Sequence, residues 1–313
     1  KNLIKNPIVV SLGEPSGIGP EVFLKAIFET QLKDYRDLIN IVSSKKVIEK
    51  ISCELKHNEI DSLNIIDVDL DSDFILGKPD KKNASYVIEC LNKAAEFAYK
   101  EKISLVTGPI NKKIVSSQIA NFSGHTEFLR EKFGSEDVLM LLANNSLKIG
   151  VATTHVALKE VPQMITKELI IRKSRLLNQG LKNIYELDSP KIAILGLNPH
   201  AGEEGSYGTE EIESIKPAIT DLKSEGLDVI GPISADTAFI NRNFDAYLSM
   251  YHDQALPVLK TLDFHHSVNI TLGLPFNRVS VDHGTAEDIA PKFIANYTSM
   301  VEAIKLAGNG NII

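Results

Sequence analysis

Tryptophan is absent from the 313 residues, and cysteine occurs only at Cys53 and Cys90. Neither cysteine belongs to a Cys-x-x-Cys pair, which removes a dithiol redox motif and a cysteine-rich zinc ribbon. Both fall in amphipathic helical stretches, where buried free thiols in a reducing compartment are expected. A basic excess is lacking too. With 34 Lys and Arg against 41 Asp and Glu, the formal net charge is −7. No nucleic-acid partner is expected, because such proteins present a basic face. No apolar run nears the ~20 residues of a membrane-spanning helix, and no charged–apolar–small leader opens the sequence. No membrane partner and a cytoplasmic location are therefore expected. Repeats and low-complexity tracts are also missing.

What the chain has is alternation. Apolar runs of strand length at Ile8–Leu12, Leu38–Val42, Ile103–Val106, Val138–Ala143, Leu147–Thr153, Lys191–Gly196, Ala246–Met250, Val268–Leu272 and Val279–Val281 are separated by helical patterns. Helices are predicted from about Pro20, over Tyr86–Tyr99, Ile170–Leu187, Glu210–Ser224 with Thr209 as cap, and Tyr297–Ala307. Asn144-Asn145-Ser146 reads as a tight turn, so its flanking strands form a hairpin in a mixed sheet. The polar stretch 67–82 reads as an exposed loop. The fold class is α/β, with a mostly parallel sheet flanked by helices.

Three histidines each follow one of these strands: His155 in Thr-Thr-His, His200 in Asn-Pro-His-Ala-Gly-Glu and His252 in Tyr-His-Asp-Gln. Taken singly, each is an ordinary hydrogen-bonded loop residue. Parallel strands, however, share a carboxyl edge at which ligands bind. Three imidazoles delivered to that edge form a candidate divalent-metal site with open positions. An enzyme is the leading reading.

Other segments admit either a structural or a chemical role. Gly13–Glu21 joins a strand to a helix; it is a sharp turn or an anion site at a helix start. Gly124-His125-Thr126-Glu127 is a plain cap or a phosphate site. Lys260, Asn269 and Arg278 follow in a dense polar run; together with three histidines they suit a small, oxygen-rich anion.

The segments GEPSGIGPE (Gly13–Glu21), TGPINK (Thr107–Lys112), SGHTEF (Ser123–Phe128), ATTHVAL (Ala152–Leu158), GLNPHAGE (Gly196–Glu203), MYHDQALPVLK (Met250–Lys260), VNITLGLPF (Val268–Phe276) and SVDHGTA (Ser280–Ala286) occur in this order. Across nearly the whole chain they resemble the 4-hydroxythreonine-4-phosphate dehydrogenase family of pyridoxal phosphate (vitamin B6) biosynthesis. The signals GIGPE and HGTAEDIA (His283–Ala290) also resemble isocitrate and isopropylmalate dehydrogenases. The chain departs from those relatives at Ala290-Pro291-Lys292-Phe293, where they often read Ala-Gly-Lys-Gly.

The resemblance implies two α/β/α lobes with a cleft between them, as in isocitrate and isopropylmalate dehydrogenases. Residues 1–120 with 270–313 would form the dinucleotide-side lobe, and 121–269 the metal, substrate and dimerisation lobe. It implies oxidation and decarboxylation of 4-phosphooxy-L-threonine to 3-amino-2-oxopropyl phosphate. The cofactors implied are NAD or NADP and one divalent ion (Zn, Mg or Co) on His155, His200 and His252. Substrate contacts would fall on His125, Thr126, Lys260, Asn269 and Arg278, with Lys260 exchanging the hydroxyl proton, and dinucleotide contacts on Gly284, Thr285 and Asp288. A homodimer with its active site at the subunit interface is implied, His252 being the ligand expected from across it. The competing readings are a sister dehydrogenase acting on 4-phospho-threonate or a dihydrodiol acid, a metal-dependent hydrolase using Asp253 as base, and a phosphate-acyl transferase of similar fold.

Overall fold

The chain is described by a computed structural model covering residues 3–311. Its strands are β1 (Ile8–Ser11), β2 (Ile39–Ser43), β3 (Asn64–Asp67), β4 (Ser104–Thr107), β5 (Leu139–Ala143), β6 (Lys148–Val151), β7 (Ile192–Leu195), β8 (Val229–Ile233), β9 (Ala246–Ser249), β10 (Val268–Leu272) and β11 (Arg278–Val281). Its helices are α1 (Gly19–Glu29), α2 (Lys45–Leu55), α3 (Ala84–Glu101), α4 (Lys112–Gln118), α5 (His125–Phe133), α6 (Val161–Met164), α7 (Lys167–Tyr185), α8 (Lys216–Ser224), α9 (His252–Leu262) and α10 (Thr298–Asn309). Among the described residues, no helix is long and apolar enough to cross a membrane.

The chain divides into two compact units. The first runs to Ser135 and resumes at Leu274; the second is Glu136–Gly273. The first unit carries strands in the order β3-β2-β1-β4-β11, all parallel. The first and last described segments meet in it, where the Lys5 and Asn6 N–H groups donate to the Gly308 carbonyl. The second unit carries β10-β5-β6-β9-β7-β8. Its β10, β5 and β6 are antiparallel, and β6, β9, β7 and β8 are parallel.

The hairpin turn forms as the sequence indicates. Asn144 Oδ1 accepts from the Ser146 and Leu147 N–H groups at 2.9 Å each, a short-range side-chain turn. Its amide also donates to Leu259 O and Asp263 O, which ties the turn to the end of α9. Helix α9 buries Leu256 and Leu259 against Leu142, Ile149 and Tyr247 of the sheet. Each such leucine contributes about 1.5–3 kcal/mol through its removal from water. The burial fixes both ends of α9, one bearing His252 and the other Lys260.

Four expectations need correction. Helix α5, with His125 and Thr126, belongs to the first unit and not with 136–273, because Phe133 packs edge-on against Phe276 and Lys132 pairs with Glu96. Thr209 is not a side-chain cap. It gives its backbone carbonyl to Ile212 and Glu213, and the helix opens with a π-turn over Glu211–Ile215. Stretch 67–82 is not merely an exposed loop. Val68, Leu70 and Phe74 are buried, and Lys46 and Lys50 of α2 bind the Leu70 and Phe74 carbonyls. Finally, Cys53 is exposed, whereas Cys90 is buried.

Candidate active site

The three histidines leave the carboxyl ends of three adjacent parallel strands, β6, β9 and β7. Local bonds then set their positions. Thr153 Oγ1 donates to Met250 O at 2.7 Å, and Ala152 N–H donates to Ser249 O. These two bonds bring the His155 loop beside the start of α9. The His155 and His252 rings lie 5.7 Å apart, centroid to centroid. His252 Nδ1 is 2.6 Å from Asp253 Oδ1, a carboxylate contact that fixes a ring orientation and directs Nε2 elsewhere. Gln254 joins the same turn to the exit of β7: its amide accepts from Met250 N–H at 2.7 Å and donates to Gly196 O at 2.6 Å.

His200 is held differently. The segment His200, Ala201, Gly202, Glu203, Glu204 has φ of 53°, 52°, 79°, 40° and 57°. For the four non-glycine residues this left-handed backbone costs about 1–2 kcal/mol each. His200 Nδ1 lies 3.9 Å from Asp236 Oδ2. The Ser234 hydroxyl, and then the nearby His200, hold the Asp236 carboxyl below the usual carboxylate range.

Two cavities open beside these groups. One of about 690 Å³ is lined by His200, Asn198, Asp236, Tyr251, Asp253 and Gln254, among others. The other, of about 290 Å³, is lined by His155, His252, Tyr251 and Asp253, among others. Tyr251 and Asp253 are shared between them. Within one chain, then, His155 and His252 are neighbours and His200 lines the other cavity. No three His, Cys, Asp or Glu side chains converge on a single metal position among the described residues.

Lys260 occupies the last turn of α9, its Nζ 5.9 Å from the Phe264 ring centroid. Asn269 sits half-buried on β10.

In the first unit a buried cation meets the start of α5. Arg278, at the beginning of β11, is 4 % exposed. Its Nε and Nη2 donate to Thr107 Oγ1 at 3.1 and 2.9 Å, and its Nη1 donates to Thr126 Oγ1 at 3.2 Å. Burial pushes its pKa down to about 10, against the pull of Glu127, so it stays charged at neutral pH. Burial, and then the Arg278 charge, also drive His125 well below the ordinary histidine range. His125 is therefore neutral at pH 7. A buried guanidinium at a helix N-terminus suits a phosphate or carboxylate.

The glycine-rich start and the segment from His283 also meet in this unit. Ile18 N–H donates to Thr285 O at 2.9 Å, and a Cβ on Gly17 would lie 2.8 Å from that oxygen. Gly284 and Asp288 are exposed, and Thr285 is buried with its hydroxyl donating to Glu287 Oε1 at 2.7 Å. Desolvation raises the Glu287 carboxyl, but the Thr285 and Asn111 hydrogen bonds outweigh it, and the group lies below its usual range. Glu14, fully buried, moves the other way: desolvation exceeds the Ser16 hydrogen bonds. The departing segment Ala290–Lys292 closes as a 3-10 turn, and Phe293, at φ 53°, gives its carbonyl to Lys25.

Residues 19–307 match the family described as pyridoxal phosphate biosynthetic protein PdxA. The chain belongs to the PdxA family. It is 41% identical over 314 residues to a 4-hydroxythreonine-4-phosphate dehydrogenase of Sulfurihydrogenibium sp., covering 96% of this chain and 97% of that one. A solved 4-hydroxythreonine-4-phosphate dehydrogenase from Klebsiella pneumoniae superposes with a TM-score of 0.86 at 31% identity, covering 97% and 98% of the two chains. An isocitrate dehydrogenase from Methylococcus capsulatus shares the fold alone, with a TM-score of 0.50 at 12% identity and 97% and 85% coverage.

For a PdxA-family chain, the residues invisible to side-chain motifs are those that act on other residues. Thr107 and Gln254 lie inside matched segments, yet only their hydrogen bonds show what they hold. Thr107→Val keeps the shape and removes the acceptor of two Arg278 N–H groups. It is expected to raise KM for a phosphorylated substrate about tenfold, roughly 1.4 kcal/mol, with kcat within about twofold. Thr107→Ser is expected to restore KM. Steady-state kinetics of the two variants check this.

Proposed function

We propose that this chain oxidises and decarboxylates 4-phosphooxy-L-threonine to 3-amino-2-oxopropyl phosphate in pyridoxal phosphate biosynthesis, with NAD or NADP and a divalent ion. The single observation behind it is the full-length match to dehydrogenases of that name. The site chemistry is consistent with it.

His155, His200 and His252 are the proposed metal ligands. Imidazole donors suit zinc or cobalt better than magnesium, which prefers oxygen. Within one chain His155 lies beside His252 while His200 lines the other cavity. A homodimer whose subunits both contribute ligands would complete the set, and the family resemblance, not this placement, names His252 as the one that crosses. When bound, the ion would supply Lewis-acid stabilisation to an oxyanion, and the nicotinamide would accept hydride.

The chain's own residues do the rest. Arg278, Thr126 and neutral His125 hold the phosphate. Lys260 takes the proton of the C3 hydroxyl as hydride leaves C3, which oxidises that carbon to a ketone. Asn269 orients the carboxyl end. Loss of carbon dioxide from the resulting 3-oxo acid then leaves an electron pair at C2, which a proton fills. Gly284, Thr285 and Asp288 are assigned to the dinucleotide, on the strength of the contact between the two flanking segments. A cytoplasmic location is part of the same proposal.

The test is absorbance at 340 nm with NAD or NADP, zinc or cobalt, and a panel of acids. Reduction with 4-phosphooxy-L-threonine above all others is expected. Faster reduction with 4-phospho-threonate or a dihydrodiol acid would transfer the assignment to a sister dehydrogenase. Substrate turnover without reduction would favour a hydrolase.

A further inference from the structure

We propose that Glu211 is the positioning residue that holds the His200 loop in its ligating conformation. The proposal rests on reading His200 as a metal ligand. Five successive residues from His200 to Glu204 have positive φ, and such backbone persists only where its surroundings over-determine it. Beside backbone bonds such as Tyr207 N–H to Gly202 O, one carboxylate makes several of the restraining contacts. Glu211 is 1 % exposed. Its Oε1 accepts from the Leu197 and Asn198 backbone N–H groups at 2.7 Å each, and its Oε2 accepts from Asn198 Nδ2 at 3.0 Å. Glu210 Oε2 takes the same amide at 2.6 Å.

The far side of the loop closes on the same group. A Cβ on Gly202 would lie 2.6 Å from Glu211 Oε2, and one on Gly196 3.2 Å from Oε1. One buried side chain thus touches the segment on both sides of His200. Glu211 is the first residue of the π-turn Glu211–Ile215. With its acceptors committed to the loop, Glu211 orients the imidazole through the backbone and takes no part in proton transfer.

The experiment is zinc binding by calorimetry, with the cobalt absorption spectrum as a second reading, on the full-length protein. Glu211→Gln keeps the size of the side chain but offers an amide to the Asn198 amide. Asn198→Ala removes only the side-chain leg and is the second variant should Glu211→Gln fold poorly. Zinc affinity about 10–100-fold weaker in Glu211→Gln is expected, with a smaller loss in Asn198→Ala, an altered cobalt spectrum, and no change in the exposed neighbour Glu213→Gln. Wild-type affinity and spectrum in both Glu211→Gln and Asn198→Ala would overturn the role of Glu211, as would a fall in Tm alone. If the wild type binds neither metal, or His200→Ala binds as well as wild type, the ligand reading itself fails and this inference with it.

Discussion

Replacing His155, His200 or His252 singly by alanine is expected to remove bound metal and turnover together. Three imidazoles are the minimum donor set of a catalytic site with an open position. Losing one leaves two donors, and the ion that stabilises the oxyanion is no longer retained. A fall in kcat/KM of more than about 10³ is expected, since such stabilisation supplies several kcal/mol. Each variant should keep its fold, because His155 and His200 are exposed and His252 half-exposed. Metal content by atomic emission, beside kcat/KM, checks this. Full occupancy in all three variants would remove the histidines from the site.

Lys260→Ala is expected to lower kcat by about 10²–10⁴ with KM within a few fold. A proton leaves the C3 hydroxyl only as hydride leaves, so the amine matters most in the transition state. A lysine serving as a mere charge contact would hold substrate and transition state alike, and its loss would raise KM. Its place in the last turn of α9, a helix anchored by Leu256 and Leu259, keeps the amine on rigid structure. Steady-state kinetics of Lys260→Ala separate the cases. A raised KM at constant kcat would make Lys260 a binding residue only.

How much of this could be read from the sequence depended on the kind of signal. The strand preceding each histidine is an apolar run, so the placement of His155, His200 and His252 at strand ends was legible. That β6, β9 and β7 are neighbours was not, because strand order is set by pairing between distant segments. The hairpin was legible through Asn144, whose side chain acts two and three residues away. The Arg278–Thr107 contact spans 171 residues, and no local pattern reports it. The hold of Glu211 on the His200 loop was not legible, because its partners, the Leu197 and Asn198 N–H groups and the Asn198 amide, lie 13 and 14 residues away. In stretch 67–82, aspartates interleaved with Val68, Leu70 and Phe74 masked buried positions that α2 lysines cover. The exposed edge strand β3 was missed because only Ile65 and Ile66 mark it.

The most direct measurement of a metal shared by two subunits mixes two inactive variants, His155→Ala and His252→Ala. After verified subunit exchange, half of the dimers are mixed. If His252 crosses the interface, each mixed dimer carries one intact site and one doubly damaged site. Activity should then return to about a quarter of the wild-type level. Pairing His155→Ala with His200→Ala should restore nothing if those two come from one chain. Recovery in that second mixture and none in the first would make His200 the crossing ligand. No recovery in any pairing would contradict the account, because each site would then be built from a single chain.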